Sequence, residues 1–334
     1  MLFGLPYVGG RAFFTVKDAI MFHLKTYCTM AKAPNPFEQA GRFACILFDK
    51  TFKSTLCRKE HEDLLRDIFE LLIPGKKISH LILDPTEQNG LVFQEKKVIF
   101  DAMCTDADTG EEFIVELQVA EQHSYRDRML CYATYPIREQ LALKLKDRKT
   151  TESIDRMDYT LRPVYVISMV YFPFHHEDSA ALEENGLISR YSVRNDLNGE
   201  PMTEALHFVY LELDRLPYGE DEYARCRNRL EMFTFSLKYI HRLTEQPANF
   251  KDPLIDKLFT ATELASMTVK ERENYESEMR TELDIIAERQ FAVEKGREET
   301  LKMVAKAMLA NGLSPEQVVK ITGLSAEDVL ALKK

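Results

Sequence analysis

Polar and apolar residues alternate between positions 97 and 119 in the pattern of two β-strands joined by a turn. The pattern predicts one strand over Lys97–Cys104 and a second over Glu112–Val119. The segment between them, Asp106-Ala107-Asp108-Thr109-Gly110, has the composition of a tight hairpin turn. Glu116 and Gln118 fall on one face of the second strand, because successive side chains point to opposite faces. The sequence therefore predicts a β-hairpin with polar side chains where a half-buried strand usually carries apolar ones.

Asp101 lies on the first strand of this hairpin, and the predicted pairing places it opposite or diagonal to Glu116. Two carboxylates held that close repel each other unless a cation or a proton lies between them. A hard divalent cation prefers oxygen ligands of this kind. The hairpin is therefore a candidate metal site. The alternative interpretation is a pair of solvated acidic residues on an exposed hairpin, which needs no metal.

Further apolar periodicities predict a sheet covered by helices. Large apolar residues recur at helical spacing over His61–Leu72, and Arg126–Leu145 also has a helical pattern. Strands are predicted at Ile78–Leu83, Arg162–Phe172, Leu187–Val193 and Leu206–Leu213, followed by helices over residues 221–244 and 270–311. Antiparallel hairpins combined with strands that flank a helix favour an α/β fold with a mixed central sheet.

The last segment of the chain has the signals of two short helices. Ser314, followed by Pro315 and Gln317, begins one helix, Gly323 suits its end, and Ser325 begins the next. The pair has helix-turn-helix proportions, but the second helix is acidic where a recognition helix would approach phosphates. The pattern therefore favours a small packing or interaction module over a DNA-reading one.

Composition places the 334 residues among globular proteins, with enough length for one large domain or two ordinary ones. No window approaches the run of about 18 apolar residues that a membrane span needs, and no secretory pattern begins the chain. The six cysteines are scattered, which predicts reduced thiols in a cytoplasmic protein. These features predict that a membrane is not among the partners.

The formal net charge of −10 argues against a protein that coats DNA over its whole surface. A local cationic patch is compatible with that charge, and residues 126–149 hold seven basic and three acidic side chains. Arg126, Arg128 and Arg138 in this segment are the candidate contacts to DNA phosphates. The competing interpretation pairs these arginines with neighbouring acids on a solvated helix face.

Several segments in a fixed order resemble a known group of nucleases. They are Asp49-Lys50-Thr51-Phe52-Lys53, Pro85-Thr86-Glu87-Gln88, Asp101 with Glu116-Leu117-Gln118, Arg126-Asp127-Arg128 and Tyr135-Pro136-Ile137-Arg138-Glu139-Gln140. This order resembles the PD-(D/E)XK nuclease superfamily, and within it the recombination-promoting nucleases (Rpn type), also described as nuclease family transposases. In that branch glutamine replaces the lysine of the E-x-K triplet, as at Gln118. The resemblance covers roughly residues 30 to 334.

The resemblance implies a restriction-endonuclease-like fold, in which helices flank a mixed central sheet and a helical C-terminal extension follows. It implies a metal-dependent DNA endonuclease of the transposase-like, recombination-promoting kind, which hydrolyses phosphodiester bonds. Asp101, Glu116 and Gln118 would be catalytic, and Asp101, Glu116 and the Leu117 carbonyl would bind Mg²⁺ or Mn²⁺. The alternative is a catalytically inactive relative that keeps the fold as a DNA- or protein-binding module.

Two residues outside the triplet are candidates for an additional acidic group, because related nucleases often supply one from a helix. Glu62 lies at the start of the predicted His61–Leu72 helix, and Glu87 precedes the hairpin. A negative charge at a helix N-terminus is also favoured by the helix dipole, so Glu62 has a structural interpretation as well.

Glutamine in place of the lysine removes a positive charge from the predicted site. The amide of Gln118 can orient a water molecule, but it cannot act as a general base at ordinary pH. The sequence alone predicts weaker cleavage than in a lysine enzyme, or greater dependence on the metal. It also predicts that Gln118→Lys retains or raises cleavage.

The patterns and the resemblance together divide the chain into four parts. Residues 1–29 form an N-terminal extension, 30–250 the nuclease-like domain, 251–300 a helical charged linker and 301–334 a small helical hairpin. The linker is rich in charge and lacks a sustained apolar heptad. This favours a solvated helix or a modest oligomerising one, and it leaves open a homo-oligomer formed through the C-terminal helices.

Overall fold

A mixed β-sheet is the framework of this chain in a computed structural model that describes residues 41–84, 87–88, 98–146, 159–172, 174 and 186–332. The strands of the described residues are β1 (Leu81–Asp84), β2 (Glu87–Gln88), β3 (Val98–Ile99), β4 (Ala102–Asp106), β5 (Glu112–Gln118), β6 (Val164–Val170), β7 (Ile188–Ser192) and β8 (Leu206–Glu212). Six of them form one sheet in the order β1-β4-β5-β6-β8-β7, and β2 pairs with β3. The predicted N-terminal extension, residues 1–29, lies outside the described residues.

Parallel and antiparallel pairings both occur in this sheet. β5 and β8 flank β6 in parallel, whereas β1 and β7 add antiparallel edges and β4 pairs with β5 as a hairpin. All seven residues of β6 are buried, which fits a central strand covered on both faces. The mixed sheet predicted from the sequence is confirmed.

Helices cover the sheet on both faces. The helices of the described residues are α1 (Asp49–Leu56), α2 (Glu62–Leu72), α3 (Tyr125–Lys146), α4 (Arg229–Tyr239), α5 (Pro253–Thr262), α6 (Val269–Ala310), α7 (Pro315–Thr322) and α8 (Ala326–Ala331), and the contacts of α2 and α3 show the cover on each face. Phe69 of α2 stacks on Phe113 of β5, with ring centroids 4.9 Å apart. Ile114, the next residue, points to the other face and belongs to a cluster with Tyr125 and Met129 of α3. The β5 strand is therefore held between α2 and α3.

The hairpin turn forms where the sequence predicts it. The Asp106 carboxylate accepts hydrogen bonds from the backbone N–H groups of Asp108 and Thr109, at 2.8 and 3.2 Å. Gly110 closes the turn with φ +68°, and the guanidinium of Arg162 occupies the space that a Cβ atom would need. A side chain at position 110 would therefore have to displace Arg162.

Two predicted elements are interrupted, and each break has a local cause. The strand predicted over Lys97–Cys104 ends at Ile99 and resumes at Ala102, because side chains replace the regular ladder hydrogen bonds at Asp101. The helix predicted over residues 221–244 is wrong as one element. The side chain of Asn228 accepts from Glu231 N and begins α4 there, with 3₁₀ turns before and after it.

The described residues form two compact units, divided between Met279 and Arg280. The first unit extends beyond residue 250, where the sequence places the start of a linker. Helix α5 packs on α2 in this unit, and Lys257 lies 2.7 Å from the carboxylates of both Asp63 and Asp67. The start of α6 also belongs to it, because Glu278 accepts hydrogen bonds from the first turn of α1.

A small helical core stabilises the second unit. Ala305 of α6, Val318 of α7 and Val329 of α8 are fully buried together. Ser314 and Ser325 cap α7 and α8 as predicted, and Gly323 ends α7 in the left-handed conformation with φ +71°. Across the described ranges, no helix is both long enough and apolar enough to cross a membrane.

Candidate active site

Asp101 and Glu116 lie side by side at the end of the hairpin that is opposite its turn. The ladder ends with Ala102 opposite Val115, and Asp101 and Glu116 are the residues just beyond that last pair. The Asp101 N–H donates to Glu116 Oε1 at 3.2 Å, and Asp101 Oδ2 accepts from the Leu117 N–H at 2.8 Å. Each carboxylate is thus held by the backbone of the opposite strand. The structure brings the two predicted carboxylates together and fixes both.

Burial makes this pair electrostatically costly. Asp101 and Glu116 are only 9% and 5% exposed. Burial, together with the negative charge of Asp101, raises the pKa of Glu116 to about 8. Burial also raises the pKa of Asp101, although the Leu117 N–H and Lys53 oppose that change. Without a further cation, the pair therefore favours holding a proton at neutral pH.

Lys53 contacts the carboxylate pair from helix α1. Its Nζ lies 3.1 Å from Asp101 Oδ1 and 2.8 Å from the exposed carboxylate of Asp49. Lys53 belongs to one of the family-like segments, but nothing in the sequence predicts its contact with Asp101. The only signal was the i, i+4 spacing of Asp49 and Lys53, which is common on surface helices.

Gln118 is paired with an arginine of α3. Gln118 Oε1 accepts from Arg128 Nη2 at 2.6 Å, and Gln118 Nε2 donates to the Ala120 carbonyl at 2.7 Å. Arg128 also donates to Gln122 Oε1 at 2.9 Å, and its guanidinium lies 5.0 Å from the centroid of the Tyr125 ring. The amide at position 118 therefore holds a guanidinium beside the carboxylate pair, although the triplet itself contains no cation.

Two family models match this chain. The model of the PD-(D/E)XK nuclease family transposase matches residues 46–292, a range that includes the hairpin, α1 and α3. The chain belongs to this family. The model of the C-terminal helix-turn-helix domain of the Rpn/YhgA-like nuclease family matches residues 297–334. Neither a curated protein nor a solved structure matches the chain.

Membership of the PD-(D/E)XK nuclease family transposases supports a nuclease-type function. The fold agrees with it, since the mixed six-stranded sheet places Asp101 just before β4 and the Glu116-Leu117-Gln118 triplet on the neighbouring β5. The second match covers residues 297–334, and α7 and α8 in this segment have the helix-turn-helix proportions seen in the sequence.

The two candidate additional acids are placed differently from the pair. Glu62 Oε1 accepts from the Leu81 N–H at 2.6 Å, and its other oxygen lies 3.1 Å from His80 Nδ1. These contacts attach α2 to the start of β1, so the Glu62 carboxylate binds there and not beside Asp101 and Glu116. Glu87 pairs with Ile99 in the short β2–β3 ladder, and its side chain lies outside the described residues.

The three candidate DNA-contacting arginines do not share one face of α3. With about 100° per residue, Arg128 and Arg138 are rotated roughly 200° and 120° from Arg126 about the helix axis. The exposed guanidinium of Arg126 lies 4.1 Å from the centroid of the Phe174 ring. Arg138 is exposed, whereas Arg128 is half-buried against Gln118. Any contacts with one DNA backbone therefore differ among the three.

The donor set of the pair fits a divalent cation with a partly hydrated shell. Within the ranges that the structure covers, no group of three or more His, Cys, Asp and Glu side chains is arranged to hold a metal ion. Two carboxylates and a backbone carbonyl are nevertheless enough for Mg²⁺, which usually keeps several water ligands. The buried, mutually repelling carboxylates of Asp101 and Glu116 supply the reason for a cation to bind there.

Proposed function

We propose that this chain is a metal-dependent DNA endonuclease of the transposase-like, recombination-promoting kind. The observation that carries the proposal is the reciprocal backbone attachment of Asp101 and Glu116, which holds two buried carboxylates side by side. Such an arrangement is costly for stability when both groups are ionised, unless a cation binds between them. In a chain of the nuclease family, phosphodiester hydrolysis is the reaction that this pair would serve.

Asp101, Glu116 and the Leu117 carbonyl would hold Mg²⁺ or Mn²⁺. When bound, this ion polarises the scissile phosphate and lowers the pKa of the attacking water. The backbone hydrogen bonds at Asp101 N and Leu117 N keep the carboxylates from rotating away, so little reorganisation accompanies binding. Gln118 positions the Arg128 guanidinium, which adds positive charge beside the phosphate that is being cleaved.

The proposal is tested with the purified full chain and supercoiled plasmid DNA, with Mg²⁺, with Mn²⁺ and with a chelator. We expect nicked and linear products with either metal and unchanged plasmid with the chelator. Gel-shift binding of the same DNA is measured in parallel. Binding without cleavage under all conditions would reject the endonuclease and favour the inactive DNA-binding relative.

Replacing Arg126, Arg128 and Arg138 together with alanine should weaken binding to all DNA sequences alike. Phosphate contacts carry no sequence information, and each one lost should reduce the log–log salt slope by about one unit. Binding is measured by fluorescence anisotropy between low and physiological salt. The matched control replaces three exposed lysines outside α3, Lys59, Lys77 and Lys251, with alanine. Equal salt slopes in both triple variants would show that DNA does not bind along the three arginines of α3.

The contact with Arg128 changes the result expected for Gln118→Lys. A lysine cannot accept from Arg128 Nη2, and it would place a second cation within about 3 Å of the guanidinium. We therefore expect the single variant to cleave about tenfold more slowly than the parental chain. Adding Arg128→Met should restore cleavage, because the new lysine then replaces the positive charge of Arg128 without a guanidinium beside it. A Gln118→Lys variant that equals the parental rate would contradict the Gln118–Arg128 pairing.

The C-terminal helix-turn-helix domain is a second candidate for DNA contact. Its helix α8 carries Glu327 and Asp328 in the first turn, where phosphates would be repelled. We therefore propose that DNA cleavage depends on phosphate contacts in the first unit, and we assign no base contacts to α8.

A further inference from the structure

Lys53 reaches the carboxylate pair from outside the hairpin, and its helix is firmly placed. Thr51, Phe52, Thr55 and Leu56 of α1 are buried, so the helix has one face in the core. Glu278 also accepts hydrogen bonds from the N–H groups of Lys50 and Thr51, at 2.6 and 3.1 Å. The packing of α1 therefore fixes where the Lys53 backbone lies relative to the hairpin.

The two ends of the Lys53 ion pair differ in exposure. The Lys53 side chain is 35% exposed, whereas the Asp101 side chain is 11% exposed. The ammonium group therefore lies on the solvent side of the buried carboxylate, with Asp49 as its second acid partner. A phosphate that approaches Asp101 from solvent would meet the ammonium group of Lys53.

The importance of the Lys53–Asp101 contact depends on which other positive charges lie at the site. Gln118 brings no charge of its own, and Arg128 donates hydrogen bonds to the side-chain oxygens of Gln118 and Gln122. Lys53, by contrast, contacts a carboxylate oxygen of Asp101 directly at 3.1 Å. Both Asp101 oxygens are thus engaged, one by Lys53 and the other by the Leu117 N–H. A divalent cation that binds Asp101 has to compete with the charge of Lys53.

We propose that Lys53 is the lysine of this active site, supplied by α1 in place of a lysine at position 118. It is the counter-ion that stabilises Asp101 beside Glu116 before a divalent cation binds, and it then faces the phosphate of the substrate. This inference rests on the proposed endonuclease function for its second part. The first part concerns the metal-free protein and is testable without any cleavage. The rival explanation is a purely structural ion pair that fastens α1 to the hairpin.

The test compares Lys53→Met with Lys53→Arg and with the matched control Lys50→Met. Lys50 is an exposed lysine in the same helix turn, so its replacement removes the same charge at a different place. Three quantities are measured: Mn²⁺ affinity by titration calorimetry at pH 9, the kcat and KM of plasmid cleavage, and Tm with a chelator. The high pH minimises competition between protons and the metal at Asp101 and Glu116.

For Lys53→Met we expect Mn²⁺ to bind roughly tenfold more tightly, because a neighbouring positive charge has been removed. We expect kcat to fall about 100-fold with little change in KM, since the charge acts on the transition state. The Tm of the metal-free variant should fall, and Lys53→Arg should keep most of the Tm. Lys50→Met should match the parental chain in all three measurements.

If the Lys53–Asp101 ion pair is purely structural, Lys53→Met should change the Mn²⁺ affinity in the opposite direction. If loss of Lys53 loosens the site, Mn²⁺ binds more weakly as Tm falls, and the inference is rejected. Parental Mn²⁺ affinity together with parental kcat in Lys53→Met also rejects it. If the parental chain itself cleaves nothing, the proposed endonuclease fails. In that case the ratio of Mn²⁺ affinities between Lys53→Met and the parental chain still decides whether Lys53 is the counter-ion of the pair.

Discussion

Replacing Asp101 with asparagine should lower metal-dependent plasmid cleavage by roughly 10³-fold while the hairpin stays folded. Asparagine keeps an oxygen that can accept from the Leu117 N–H, which the Asp101 carboxylate now does at 2.8 Å. It removes the negative charge that a divalent cation needs, and it places an amide next to Lys53. The initial rate of plasmid nicking and Mn²⁺ binding by calorimetry should both fall, and circular dichroism should be unchanged.

Asp108→Asn is the control for this experiment. Asp108 is exposed in the turn at the opposite end of the same hairpin, where its carboxylate accepts from the Ser79 hydroxyl. The same chemical change there should leave both cleavage and Mn²⁺ binding at the parental level. If Asp101→Asn nicks plasmid as fast as Asp108→Asn, the catalytic site is not at this hairpin.

The central pair could be predicted from the sequence because its geometry is local. Alternation of side chains along β5 and the short turn before it fix which residues face each other, so Asp101 and Glu116 meet with few alternatives. The buried strand β6 and the amphipathic helix α2 were likewise confirmed, since their apolar periodicities are strong. These predictions depend only on residues close together in the chain.

The cations around the pair depend on tertiary packing, which the sequence does not reveal. Lys53 lies on a helix far earlier in the chain than the hairpin. Its i, i+4 spacing from Asp49 predicts that ion pair but not the second one, with Asp101. Arg128 was predicted to contact DNA, but the fold places its guanidinium on the Gln118 amide. A family-like segment identifies such residues, but only packing shows which atoms they touch.

The C-terminal limit of the first unit also depends on tertiary contacts that the sequence does not reveal. The segment after residue 250 is rich in charged residues, and this composition predicts a solvated linker. The structure shows that Lys257 pairs with Asp63 and Asp67 of α2, and that Glu278 accepts from the start of α1. Charged residues that complete the packing of distant helices have the same composition as a solvated linker, so the sequence alone does not separate the two.

Without a metal, the folded chain should lose stability as the pH rises from about 5 to about 9, and Glu116→Gln should remove much of that loss. The pKa of Glu116 is about 8 in the folded protein, because burial and Asp101 raise it from an ordinary value of 4.5. Between these two values the folded state holds a proton that the unfolded chain has released. Raising the pH therefore favours unfolding, and the effect is complete above the folded pKa.

The size of this effect follows from the linkage between proton binding and folding. Each unit of pKa shift corresponds to about 1.4 kcal/mol, and allowing for residual solvent contact we expect roughly 2–4 kcal/mol between pH 5 and pH 9. Glutamine at position 116 can still accept from the Asp101 N–H but does not titrate. Urea unfolding in the presence of a chelator at pH 5, 7 and 9 measures the free energy of unfolding of both proteins.

Other buried carboxylates contribute to the same pH dependence, so the difference between the two proteins is the informative quantity. Burial raises the pKa of Glu112 to about 7, and this group remains in both of them. Glu116→Gln should therefore be more stable than the parental chain at pH 9 and nearly equal to it at pH 5. Saturating Mg²⁺ should stabilise only the parental chain at pH 9, because the ion can bind between Asp101 and Glu116 once their shared proton has been lost. Parallel pH profiles for the two metal-free proteins would show that Glu116 is ionised at neutral pH, and the raised pKa would then be wrong.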